Sequence, residues 1–164
     1  TTLTLIPMVK ECIAVPLIAA GGIATGRGML ATMILGADAV QIGSRFVASE
    51  ESSAHQAFKQ TVVEAKEGDT QLTLKELAPV RLIKNAFYYQ VQDLYKTSPT
   101  IDELKKLLGR ARAKKGMFEG DLENGELEIG QISGLIHDVK PVRQIVQNII
   151  DEFEEANNSN YKTW

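Results

Sequence analysis

Two short glycine-containing turns are the parts of this sequence whose residue types could bind an anion. The first contains Gly21 and Gly22, the second contains Gly43 and Ser44, and each follows an apolar stretch. Glycine lets backbone N–H groups approach an anion that a side chain would otherwise block. The Ser44 hydroxyl could add one more donor. Either turn alone could be an ordinary tight bend, but the two together predict a site for one phosphate group.

The segments around the turns have the pattern of an α/β fold. Residues 15–20 form an apolar run without alternation, which is typical of a strand covered on both faces in a parallel sheet. Residues 38–46 contain a second, shorter strand. A helix that Thr25 caps and Gly36 ends lies between them, and a helix over residues 4–13 precedes the first strand. This order with short links is typical of parallel α/β folds.

Neighbouring parallel strands end at the same edge of a sheet, so both turns should face a single anion. The start of the helix after Thr25 should add unpaired N–H donors and a positive dipole end. Loops after strands 7 and 8 of (β/α)₈ barrels form a phosphate site of this kind.

Composition excludes several classes of function. The 164 residues carry 18 basic and 21 acidic side chains, which are interspersed and therefore argue against a nucleic-acid surface or an anionic membrane as partner. No apolar run approaches the ~20 residues that a membrane-spanning helix needs. The start of the chain does not resemble a signal peptide, so we expect a cytoplasmic protein without a membrane segment.

The sequence predicts no metal site. A single cysteine, Cys12, excludes an internal disulfide and a cysteine-based zinc site. His55 and His137 have no partners at metal-ligand spacing. We expect Cys12 to be a buried small apolar residue on the first helix, His55 to lie on the surface, and His137 to form a hydrogen bond or cap a helix.

The rest of the chain predicts a mainly helical extension over residues 53–156 and a frayed polar tail over 157–164. Residues 70–80 alternate like a strand but contain Pro79, so their structure stays ambiguous. Within the extension we expect helices over 53–67 and over 81–95, with a third in residues 97–116 that starts at a capping box of Thr100 and Glu103 and that Gly109 could interrupt. We also expect a glycine-rich loop over 116–134 and a helix from Lys140 or Pro141 to about Ala156.

Three stretches resemble one known family. Pro16–Ser52, with the sequence PLIAAGGIATGRGMLATMILGADAVQIGSRFVASEES, closely resembles the FMN-binding segment of the nitronate monooxygenase family, formerly called 2-nitropropane dioxygenase. This family includes flavin-dependent enoyl-(acyl-carrier-protein) reductases. Gly125–Ile136 (GELEIGQISGLI) resembles its Gly-Gln segment, and Arg81–Asn85 (RLIKN) its Arg…Lys-Asn stretch. IMP dehydrogenases share the AGGI-type turn, so the combination carries the resemblance, which extends over Thr1–Glu152.

The resemblance implies a fold and a set of binding residues. Residues 1–52 would be the last two βα units of a TIM (β/α)₈ barrel, and the C-terminal extension would follow them. Backbone N–H groups at the turns would hold the 5′-phosphate of FMN, and Gln131 would lie near the flavin or at the mouth of the substrate pocket. The cofactor-binding residues implied in this way are Ala20, Gly21, Gly22, Gln41, Gly43, Ser44 and Gln131.

The resemblance also implies what this chain lacks. The family's catalytic histidine lies in a Gly-Gly-His motif just before the helix that residues 4–13 represent, and no such motif occurs here. We therefore expect that histidine, and the N-terminal segment of the barrel, upstream of Thr1. The chain would hold no catalytic residue and would be inactive alone.

Several functions stay open at this point. The implied reaction is oxidation of alkyl nitronates with O₂, and NAD(P)H-dependent reduction of an enoyl thioester is the close alternative. Arg110, Arg112, Lys114 and Lys115 form a short basic run, more simply a solvated helix end, that an acyl-carrier partner would favour. In a different class, the chain would be a non-catalytic remnant or interaction module whose edge strands favour a homo-oligomer. The turns could also bind another phosphorylated ligand.

Overall fold

A parallel two-stranded sheet organises the first third of the chain in the computed structural model, which describes residues 1–159. Ala19 pairs with Val40 and Ala20 with Gln41, so both strands end at the same level. This order of elements confirms the predicted α/β fold. The elements are α1 (Thr2–Lys10), β1 (Ile18–Ala20), α2 (Gly26–Ile34), β2 (Ala39–Gln41) and α3 (Ser44–Val47).

The prediction that the first strand is covered on both faces is wrong. Ala19 is buried in a cluster with Ile6, Ile23 and Ala37, but Ile18 is 59% exposed. Ala20 is exposed as well, and among the described residues only β1 and β2 pair in this sheet. This non-alternating apolar run therefore forms a strand with one buried face and one exposed face among the described residues.

The second part of the chain adds an antiparallel hairpin to a set of helices. The hairpin pairs Thr70 with Ile83 and Thr73 with Val80, so only the first four of the ambiguous residues 70–80 form its first strand, and Val80 begins the second. The elements are α4 (Gln56–Glu64), β3 (Thr70–Thr73), β4 (Val80–Ile83), α5 (Ala86–Tyr95), α6 (Ile101–Leu108), α7 (Arg112–Met117), a 3₁₀ helix (Gln131–Leu135) and α8 (Val142–Asn158).

The prediction of one helix over residues 81–95 is wrong at its start. Residues 80–83 form β4, and α5 begins only after Asn85, whose side chain accepts a hydrogen bond from the Tyr88 N–H at 2.9 Å. An asparagine in this position stops the chain from continuing as helix towards its N-terminus, because its side chain replaces the missing backbone partner.

The glycine-rich segment over 116–134 is more ordered than a loop. The Ile83 N–H donates to the Leu127 carbonyl at 2.9 Å, and the Ile129 N–H donates to the Arg81 carbonyl at 3.1 Å, so residues 127–129 run beside β4. The 3₁₀ helix begins two residues later. Sequence alone did not predict these bonds because they join positions that are about 45 residues apart.

Helix α8 joins the two parts of the chain by packing against α2. A Cβ atom on Gly26 would lie 2.2 Å from the Phe153 backbone nitrogen, so the two helices approach at a distance that only glycine permits. The helix extends to Asn158, so the prediction of a tail from residue 157 is wrong for its first two residues. Residues 160–164 lie outside the described part of the chain.

Cys12 is exposed, which corrects the prediction of a buried cysteine. Helix α1 ends at Lys10, so Cys12 lies in the turn after the helix and not on its apolar face. His55 is exposed, as predicted, and its Nδ1 accepts the Ala57 N–H at 3.1 Å at the start of α4. None of the helices within residues 1–159 has the length and hydropathy needed to cross a bilayer.

Candidate functional site

The two glycine turns leave the same edge of the parallel sheet and line one cleft. The register between Ala20 and Gln41 places Gly21 beside Ile42 at the start of the two turns. The cleft has a volume of about 200 Å³. It is lined by Ala20, Gly21, Gly22, Ile23, Gln41, Gly43, Ser44 and Ile132, which include six of the seven residues that the sequence singled out.

Backbone conformation distinguishes the glycines of the two turns. Gly21 and Gly22 have φ values of +90° and +74°, which L side chains rarely adopt. Gly43 has φ −106°, which any residue can adopt. A Cβ atom on Gly43 would have no protein atom within 4 Å. Neither strain nor packing therefore requires glycine at position 43, and a side chain there would occupy space beside the cleft.

Three backbone donors at the cleft have no protein acceptor among residues 1–159. They are the N–H groups of Gly22, Gly43 and Ser44. The Gly21 N–H faces β2, as the parallel pairing of Ala20 with Gln41 requires. Unpaired N–H groups that surround a small concavity form a favourable site for an anion. The residues present therefore fit a phosphate group, because they combine free donors with space that a Cβ atom would fill.

The Ser44 hydroxyl has a partner that sequence analysis did not identify. Its oxygen accepts the Gly130 N–H at 3.1 Å, so residues from both parts of the chain meet at this turn. A Cβ atom on Gly130 would lie 2.7 Å from the same oxygen. Since the oxygen acts as acceptor for Gly130, the hydroxyl proton is left to donate to a ligand in the cleft.

The start of α2 does not supply all the free donors that the sequence predicted. The Gly26 N–H donates to Oε2 of Glu152 at 2.9 Å, and the Gly28 N–H donates to Oγ1 of Thr25 at 3.0 Å. The predicted Thr25 cap is confirmed, but a carboxylate from α8 already occupies this helix end. Two of the N–H groups at this helix end are therefore already paired within the protein.

Gln131 does not line the cleft. It is the exposed first residue of the 3₁₀ helix, and the next residue, Ile132, lines the cleft instead. The Gly-Gln segment therefore reaches the site through the apolar residue Ile132 and not through the glutamine of its motif.

A second, wider cleft adjoins the first and shares Gly43 and Ser44 with it. Its volume is about 410 Å³. Burial raises the pKa of the Glu128 carboxyl, and the Arg81 guanidinium donates to the carbonyl and hydroxyl of Thr70, each at 3.2 Å. The RLIKN stretch in the sequence indicated Arg81, whereas sequence analysis did not identify Glu128 as a residue of this cleft. The other lining residues are Val47, Pro79, Val80, Ile129 and Gly130.

The short basic run is occupied by internal contacts. Lys114 pairs with Glu119 at 3.0 Å, Lys115 pairs with Asp121 at 2.8 Å, and the Arg112 guanidinium lies 4.4 Å from the centre of the Phe87 ring. Lys114 and Lys115 stay more than half exposed in these pairs, as expected for a solvated helix end. Within residues 1–159 no group of three or more His, Cys, Asp or Glu side chains is arranged to hold a metal ion.

The fold and site define an α/β protein with a glycine-lined cleft at the carboxyl edge of its parallel sheet. A sequence model of one family, nitronate monooxygenase, matches residues 1–152, and the chain belongs to that family. The resemblance that the glycine turns indicated is therefore confirmed.

Individual relatives agree with this assignment. A probable nitronate monooxygenase of Staphylococcus saprophyticus is 32% identical over 158 residues, which are 96% of this chain and 44% of the relative. FabK from Thermotoga maritima is 40% identical with a TM-score of 0.88, over 96% of this chain and 50% of FabK. A nitroalkane oxidase of Streptomyces ansochromogenes is 29% identical with a TM-score of 0.75, over 96% of this chain and 45% of the oxidase. The chain thus spans about half the length of these proteins.

Proposed function

We propose that this chain supplies the phosphate-binding part of an FMN-dependent oxidoreductase of the nitronate monooxygenase type. The observation that carries the proposal is the cleft between the two turns, where the N–H groups of Gly22, Gly43 and Ser44 have no protein acceptor among the described residues. Membership of the family supports the choice of FMN over other phosphorylated ligands.

The residues of the cleft have separate roles in this proposal. The N–H groups of Gly22, Gly43 and Ser44 and the Ser44 hydroxyl donate to phosphate oxygens. Ala20 and Gln41 end the paired strands and so set the spacing of the turns. Gln131, which lies outside the phosphate cleft, would lie near the flavin or at the mouth of the substrate pocket. When bound, FMN supplies the electron-transfer chemistry, and these residues bind and orient it.

The proposed reaction of the full-length protein is oxidation of alkyl nitronates with O₂. We assign no catalytic residue to this chain and propose that a histidine in a segment preceding Thr1 moves the proton, so that the chain alone is inactive. Residues 1–52 would then be the last two βα units of a TIM barrel. A small-molecule substrate is proposed as partner, and a homo-oligomer and a cytoplasmic location stay predictions.

A second candidate function is reduction of an enoyl-(acyl-carrier-protein) with NAD(P)H. It is favoured by the similarity to FabK, an enoyl reductase, whose 40% identity exceeds the 32% and 29% of the two nitro-compound enzymes. The largely apolar lining of the wider cleft would also accept an acyl chain. Assays of the full-length protein with an alkyl nitronate and with an enoyl thioester distinguish the two functions.

Titration of the chain with FMN tests the phosphate site. We expect flavin fluorescence to be quenched on binding, and Gly43→Ala to weaken binding at least about tenfold, because the added Cβ fills space next to the phosphate. Gly134→Ala is the matched control. Its Cβ would meet its nearest protein atom at 3.7 Å, away from the cleft, so binding should stay at the wild-type level.

The outcomes separate the enzyme from the alternative classes. Tight FMN binding that Gly43→Ala leaves unchanged would place the phosphate elsewhere. If neither this chain nor the full-length protein binds FMN or turns yellow on reconstitution, the glycine turns are structural features of a non-catalytic module.

A further inference from the structure

Residues 130–140 contact both the Gly43–Ser44 turn and the residue that follows it. Besides the bond between Ser44 and Gly130, the Arg45 guanidinium donates to Oδ1 of Asp138 at 2.5 Å and to the Asp138 carbonyl at 2.9 Å. It also donates to the Ala48 carbonyl at 3.3 Å. Three acceptors therefore fix the side chain of the residue next to Ser44.

Arg45 depends on Asp138 for charge compensation. The arginine is 8% exposed, and a buried guanidinium needs an anionic or hydrogen-bonding partner. Asp138 supplies the carboxylate, and its second oxygen accepts a hydrogen bond from Nζ of Lys140 at 2.8 Å. Lys140 is therefore a second partner of the Asp138 carboxylate, at the oxygen that Arg45 does not use.

The second turn needs these contacts more than the first. Gly21 and Gly22 adopt positive φ values that favour glycine, whereas Gly43 has an ordinary φ of −106°, so its local backbone conformation alone does not specify the turn. Donors bind an anion well only when they already point at it, because reorientation costs free energy at the moment of binding.

We propose that Asp138, acting through Arg45, is a positioning residue that aims the N–H groups of Gly43 and Ser44 at the ligand phosphate. The inference rests on the proposed function, since it concerns the same phosphate. Without the carboxylate, α3 gains freedom to shift and the two donors lose their orientation. The loss of orientation should weaken binding of the phosphate group and leave binding of the flavin ring unchanged.

The test compares FMN with riboflavin, which has the same ring system but no phosphate. Each is titrated by fluorescence into the wild-type chain, Asp138→Asn and Lys140→Gln. We expect Asp138→Asn to lose about tenfold in affinity for FMN and less than about twofold for riboflavin. Lys140→Gln should change neither affinity, because it removes the other partner of Asp138 and leaves the contact with Arg45.

A second pair of variants distinguishes a loss of ligand binding from a loss of folding. Arg45→Lys keeps a buried cation that can reach Asp138, and Arg45→Met does not. We expect the ratio of FMN to riboflavin affinity to fall less in Arg45→Lys than in Arg45→Met. Circular dichroism of all variants establishes the folded fraction to which the affinities are referred.

Each outcome decides something specific. A wild-type chain that binds FMN no better than riboflavin contradicts the proposed function and the inference with it. A wild-type preference for FMN that persists undiminished in Asp138→Asn overturns the inference alone. An equal loss of both ligands in Asp138→Asn also overturns it, because the aspartate would then support the fold in general.

Discussion

The two turns of the cleft reach the same position by different physical means. The Gly21–Gly22 turn has a local signature in the sequence, because its two consecutive positive φ values at the end of β1 favour glycine. The Gly43–Ser44 turn has ordinary backbone angles and is fixed from a distance, by Gly130 and Asp138. The comparison shows that one anion site can combine two kinds of turn. One has a backbone conformation that favours glycine, and the other is held by contacts with residues some 90 positions away.

The strongest expected effect concerns the attachment of the first turn to the rest of the molecule. Gly26→Ala places a Cβ atom 2.2 Å from the backbone of Phe153, so α2 and α8 must separate. We expect the free energy of unfolding to fall by about 3 kcal/mol, measured by urea denaturation. Gly28→Ala, whose nearest contact would be the Thr25 hydroxyl at 3.2 Å, should cost much less. Equal losses in the two variants would contradict the close packing of α8 on α2.

An intermediate effect separates the two turns directly. Gly22→Ala forces alanine into φ +74° and should cost about 1–2 kcal/mol of stability, whereas Gly43→Ala at φ −106° should cost almost none. Both should weaken FMN binding. Thermal unfolding of the two variants measures the difference, and a Gly43→Ala variant as unstable as Gly22→Ala would show that the second turn is also strained.

The smallest expected effect depends on pH and involves only the second turn. Burial tends to raise the pKa of Asp138, but the hydrogen bond from Lys140 and the charge of Arg45 outweigh it, so the pKa is lowered below 3.8. A lowered pKa in the folded state means that the contribution of this carboxylate is present above pH 3.8 and is lost as pH falls through the folded pKa.

The wild-type chain should therefore exceed Asp138→Asn in stability by about 1 kcal/mol at pH 7, and by progressively less below pH 4. Urea denaturation of both proteins across this range measures the difference. A difference that stays constant into acid would show that the carboxylate charge does not hold Arg45.

Local signals in the sequence predicted the first turn well. The apolar run followed by two glycines placed the end of β1, and the Thr25 cap and the Thr100–Glu103 capping box both occur as predicted. These features could be predicted because each depends on residues within a few positions of one another.

The anchors of the second turn could not be predicted in the same way. Nothing in the residues near Ser44 indicates that its hydroxyl accepts the Gly130 N–H, or that Arg45 pairs with Asp138. The same limit explains β4, where VRLI fits a helix or a strand until the partner residues 70–73 and 127–129 are known. It also explains Ile132, which reaches the cleft in place of Gln131 only because of how the 3₁₀ helix is placed.

The most direct test of the account follows backbone amide resonances by ¹⁵N–¹H NMR while FMN is added to the chain. The account predicts that the signals of Gly21, Gly22, Gly43 and Ser44 shift together with a single dissociation constant, and that riboflavin leaves them nearly unchanged. Shifts confined to one turn, or equal shifts with riboflavin, would contradict the claim that both turns bind one phosphate.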